Sequence, residues 1–126
     1  MDNKIIENTE VNIIISEDVV IGLAMNAAKE IDGVAGFNNK ISASDIKEIF
    51  SKKSIGKGVK ADIQDNDVEI TVFLNVKNGV VIPKVAENVQ AAIKNEVENA
   101  TGLNVTKVNI NVVAVVFPKE KEAQDQ

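Results

Sequence analysis

Apolar and polar residues alternate with two different periods along this chain, and the changes of period divide it into elements. Val11–Ile15 reads as a short strand. Ser16 then offers a helix N-cap, with Glu17 and Asp18 placed to favour the positive end of a helix dipole. Val19, Val20, Leu23, Ala24, Ala27, Ala28 and Ile31 recur at helical spacing and give one apolar face, which Gly33 ends. Val59, Ala61 and Ile63 alternate with polar residues, a turn "QDND" follows, and Val68, Ile70, Val72, Leu74 and Val76 alternate again. This predicts a hairpin with one buried face.

Asn78-Gly79 breaks the second hairpin strand, and Pro83 suits the first turn of a helix whose apolar positions are Val85, Ala86, Val89, Ala92, Ile93, Val97 and Ala100. Thr101-Gly102-Leu103 should close it, with glycine in the left-handed cap. A final strand over about residues 104–117 completes the order strand, helix, hairpin, helix, strand. The fold class expected is α+β: a two-layer sandwich with two main helices on one face of a small sheet. Residues 1–10 are expected to be a flexible arm, 11–117 a single domain and 118–126 a flexible charged tail. Between Val34 and Gly58 the periodicity is poor, with a short helix expected near Ser44–Phe50.

The last strand, "KVNINVVAVVF", raises the functional question. Strict alternation puts Val108, Ile110, Val112, Ala114 and Val116 on one face, and Lys107, Asn109, Asn111, Val113, Val115 and Phe117 on the other. The second face turns apolar halfway along. Phe73 has the same parity in the hairpin, so Phe73, Val113, Val115 and Phe117 are expected to form one protein-interaction surface on the open side of the sheet. Leaving all four in water is costly, at about 1.5–3 kcal/mol for each large apolar side chain. The expected cover is either residues 34–58, through Val34, Phe37, Ile41, Ile46, Ile49, Phe50 and Ile55, or another chain.

Composition narrows the chemistry. The 126-residue chain has fourteen basic residues, all lysine, against nineteen acidic, for a net charge of -5. That field repels polyanions, and no guanidinium fork is available for phosphate or guanine. Histidine and cysteine are absent, which removes serine–histidine and cysteine catalysis, disulfides and the commonest transition-metal ligands. No apolar run approaches the ~18 residues needed to span a bilayer. The expectation is a cytoplasmic, non-enzymatic protein without cofactor or metal, and without direct membrane insertion.

Four stretches carry weaker alternatives. "DIQDND" (Asp62–Asp67) gathers carboxylates but lacks the mid-loop glycine and distal glutamate of a calcium loop, so a solvated turn is preferred. "SIGKGVK" fails the phosphate-loop spacing. "SKKS" (Ser51–Ser54) sets serine beside lysine in a segment too polar to desolvate and activate the amine. "GVAG" (Gly33–Gly36) has the spelling of an RNA-clamping loop, and with Lys52, Lys53, Lys57 and Lys60 it would make a small nucleic-acid-binding module; a helix cap leading into an edge strand or turn is preferred.

From Val11 to Phe117 the chain resembles the alkaline shock protein family, small general-stress proteins of Gram-positive bacteria. The likeness is carried by "AAKEIDGVAG", "KGVKADI", "NGVVIPKVAENVQ", "VENATGLNV" and "VNINVVAVVF" in this order. Asn78 replaces an aromatic residue common before the glycine, and Ala114 replaces a glycine common in the last strand. The resemblance implies a stress-response scaffold or adaptor in cell-envelope homeostasis that self-associates as a homo-oligomer. It also implies a peripheral place at the inner face of the membrane, held by a small integral membrane anchor protein.

Overall fold

The computed structural model describes residues 10–38 and 58–118. Two helices and four strands form the expected two layers: α1 (Glu17–Lys29), β1 (Val34–Phe37), β2 (Val59–Gln64), β3 (Asp67–Lys77), α2 (Ile82–Thr101) and β4 (Asn104–Val116). Ser16 caps α1 as expected, its hydroxyl accepting from the Val19 amide. Gly102 ends α2 in the left-handed conformation at φ 80°. The chain departs from expectation at its start. Val11–Ile15 lies outside the sheet and belongs to neither helix nor strand, and the fourth strand is Val34–Phe37 instead. The helix expected at Ser44–Phe50, and Ile41, Ile46, Ile49, Phe50 and Ile55, lie outside the described residues.

β3 is the axis of the sheet. One of its edges pairs antiparallel with β2 over Asp67–Val72 and with β1 over Leu74–Val76, so β1 and β2 lie end to end along it. The other edge pairs in parallel with β4 along its whole length, α2 forming the crossover. Val68, Ile70, Val72, Leu74 and Val76 all point into the helix layer and are essentially inaccessible.

Above them α2 contributes a stripe of Val85, Val89, Ile93 and Val97, and α1 contributes Val20, Ile21, Ala24 and Ala28, whose alanines let the two helices approach closely. At about 1.5–3 kcal/mol per buried aliphatic side chain, this single cluster holds the two layers together. Gly33, at φ 99°, turns the chain from α1 into β1. A Cβ there would meet Val85 Cγ2 at 2.8 Å, so the amino end of α2 is seated against this turn.

Candidate interaction surface

The far side of the sheet is not uniformly apolar, because β4 does not alternate strictly. Its register against β3 shifts twice, between Val105 and Lys107 and between Val112 and Ala114. The second shift makes Val113 the extra residue of a β-bulge. Beyond it parity reverses: Ala114 lies opposite Asn75, Val115 opposite Val76 and Val116 opposite Lys77. Since paired residues of parallel strands share a face, Val115 belongs to the helix-facing side with Val76, and Ala114 and Val116 to the open side.

The four residues expected to form one patch are therefore separated. Phe73 stands on the open face opposite Asn111 and is half-buried. Val113 is the bulge residue and is 51% exposed; Val115 faces the helix layer; Phe117 lies past the strand end, 62% exposed, beside a shallow depression it lines with Lys77, Asn78, Val116 and Pro118. Strict alternation fails here because two residues of β4 share one partner.

Most of the open face is polar and internally bonded. Asn109 Nδ2 donates to Glu69 Oε2 at 3.0 Å and to Thr71 Oγ1 at 3.3 Å. Asn38 Nδ2 donates to Asn75 Oδ1 at 3.1 Å. Lys60, Asp62 and Gln64 of β2 face the same way by register with Thr71, Glu69 and Asp67. Among the described residues no group of acidic side chains could hold a metal ion, and Asp62, Asp65 and Asp67 belong to a hairpin whose turn residue Asp65 has φ 59°. Gly33–Gly36 runs from the turn after α1 into the strand Val34–Phe37, with Ala35 exposed, and does not join two helices. "SKKS", Lys52, Lys53 and Lys57 lie outside the described residues.

Apolar surface is left open elsewhere, on the helix-facing side of the carboxyl half of β4. α2 crosses the sheet obliquely. Its amino end sits against Gly33 beside β1, and its carboxyl half lies over the start of β4, where Glu98 Oε2 accepts from the Val105 amide at 3.0 Å and Gln90 Nε2 donates to the Val108 carbonyl at 3.4 Å. The Lys94 ammonium, 2.9 Å from Glu98, holds that carboxyl below its ordinary range, with the Val105 amide adding to the effect.

Burial along the helix-facing side of β4 follows this tilt. Val105 and Val108 are buried, Ile110 and Val112 partly so, and Val115 is 38% exposed. The outer margin of β4 has no strand beside it among the described residues. Gln90 and Glu98 were not singled out in the sequence because neither breaks the helical pattern. The bulge did leave a signal: the adjacent pair Val112-Val113 is where alternation stops.

A profile of the alkaline shock protein family, described as having a cell envelope-related function, matches residues 5–117. The chain belongs to this family. Among its relatives, the Bacillus subtilis protein YqhY is 40% identical over 111 residues, covering 87% of this chain and 82% of YqhY. YloU of the same organism is 34% identical over 102 residues, covering 80% of this chain and 85% of YloU. Among solved structures, a MamM CTD variant aligns at 15% identity with a TM-score of 0.47, covering 77% of this chain and 93% of the other. No helix among the described residues is long and apolar enough to cross a membrane.

Proposed function

We propose that this protein is a non-enzymatic, cytoplasmic stress-response adaptor in cell-envelope homeostasis, working through protein–protein contacts that include self-association. The observation that carries this reading is the carboxyl end of β4. Val113, Val115, Val116 and Phe117 are all exposed there, on a strand whose outer edge pairs with no other described strand. Surfaces of this kind are characteristic of docking sites. The family's cell envelope-related description supplies the setting. A small integral membrane protein is the partner that would hold the adaptor at the inner face of the membrane.

Light scattering over a concentration series tests the core of this reading. Apparent mass should rise with concentration for the native chain and fall back to the monomer value in Val115→Lys, with the far-ultraviolet circular dichroism unchanged. A native chain that stays monomeric throughout, or a Val115→Lys protein that unfolds, would remove the support.

A further inference from the structure

Two unsatisfied features of this fold match each other. The first is the outer edge of β4 from Ile110 to Val116. The Val108 carbonyl is taken by Gln90 of α2 and the Val105 amide by Glu98, so this edge faces α2 and solvent, and its amino half is already occupied by helix side chains. At the other end the Val116 carbonyl accepts from the Asn78 amide and so points toward β3. Counting inward from both ends across the bulge, Ile110, Val112 and Val115 direct their backbone groups outward, where no described strand pairs with them. Neither charge nor proline blunts this stretch: Lys107 is the last charge before it and Pro118 the first proline after it.

The second feature is Val11–Ile14. It has the composition of a strand, yet lies outside the sheet with Val11 64%, Ile13 72% and Ile14 94% exposed. Such an exposed segment is a strand without a ladder, and the β4 edge is a ladder without a strand.

We propose that Val11–Ile14 of one copy adds as an extra strand to the open carboxyl half of the β4 edge of a second copy. The contact cannot form within one chain. α1 delivers its carboxyl end to the turn at Gly33, whose carbonyl accepts from the Lys77 amide, and runs back across β2. Its thirteen residues put Ser16 roughly 20 Å from that end of the sheet. β4 lies on the far side of β3 from β2, so a strand added to its outer edge would sit about three strand spacings of ~4.8 Å from β2. Only Ile15, itself packed on the core, separates the segment from Ser16, and one extended residue spans about 3.5 Å.

Both orientations keep Val11 and Ile13 on the helix-facing side, so the match of side chains on the open face selects between them. Laid parallel to β4, the segment sets Val11 and Ile13 beside Ile110 and Val112 on the helix-facing side, where α2 covers those two only in part. Asn12 then falls beside Asn111, and Ile14 beside Ala114, on the open face. The antiparallel arrangement would set Asn12 against Ala114 and Ile14 against Asn111. Donor and acceptor are different surfaces of the same chain, so the contact is heterologous and each copy can both give and receive a strand.

The inference rests on the self-association proposed above, and its test separates the two. The chain has no cysteine, so introduced cysteines report cleanly. Differently tagged full-length Asn12→Cys and Asn111→Cys proteins, mixed and mildly oxidised, should give a mixed disulfide dimer in clear excess over Asn12→Cys mixed with Lys60→Cys on β2. Ile13→Pro lies outside every helix and strand, so it should leave the monomer folded and abolish the concentration-dependent mass. Assembly that survives Ile13→Pro but is lost in Val115→Lys would overturn strand donation while leaving the adaptor reading standing. A mixed dimer no more abundant than the Lys60→Cys control would overturn the register, and a native chain that never self-associates would overturn both readings.

Discussion

The two halves of β4 pair with the same strand in the same direction, yet they live in different surroundings. The amino half, Asn104–Asn111, carries a lysine and several amides but is the better held: Val105 and Val108 are buried, Asn109 is bonded to Glu69 and Thr71, and Glu98 and Gln90 reach over its margin. The carboxyl half, Val112–Val116, is wholly apolar and is the more exposed. Burial in this strand follows the path of α2 across the sheet, not the hydrophobicity of the residues beneath it. The strand is most apolar where it is least covered, which is the arrangement the proposed self-association would use.

Substitutions can break that contrast, beginning with the helix that creates it. Ile93→Ala, in the middle of the α2 stripe, should cost about 3 kcal/mol in urea unfolding, because the cavity cannot collapse between two packed layers. Gly33→Ala meets both a left-handed backbone and the Val85 methyl, and should lower stability by about 2 kcal/mol in the same measurement. Within β4 itself, Val108→Ala should cost about 2 kcal/mol and Val115→Ala less than about 1 kcal/mol for the monomer. Equal losses would mean that the two valines are equally covered and the contrast is false.

The smallest effect concerns the helix–strand latch. Glu98→Gln should speed amide exchange at Val105 while leaving Val112 unchanged, a difference seen by hydrogen-exchange spectroscopy. Because Lys94 and the Val105 amide depress the Glu98 pKa, the carboxylate's contribution is fully present above its ordinary value near 4.5 and is lost as pH falls through the lowered one. Protection at Val105 should therefore fade on acidification from that point downward. Loss of protection on raising the pH instead would contradict the assignment.

Much of the layered fold was legible from the chain because its signals are local. Ser16, Gly33 and Gly102 mark helix ends through backbone requirements that few other residues meet, and the period-two pattern of Val68–Val76 survives because β3 is paired on both edges. Val11–Ile15 misled because a strand needs a neighbour as well as a propensity. The apolar end of β4 was legible only in part. Val113, Val115 and Phe117 are exposed, and which face each occupies depends on a bulge that only pairing with β3 reveals. The uncovered end of β4 depends on the tilt of α2, which no periodicity encodes.

On the opposite edge, β1 and β2 share one margin of β3, with Asn38 just past the end of one and Gly58 just before the start of the other. Both flanks are tied to the same residue: the Asn38 amide donates to the Phe73 carbonyl, and the Phe73 amide donates to the Gly58 carbonyl. Each anchor bonds to β3 directly. A single residue of β3 thus fastens the end of one strand and the start of the other, so this margin is continuous in its bonding where it is interrupted in sequence.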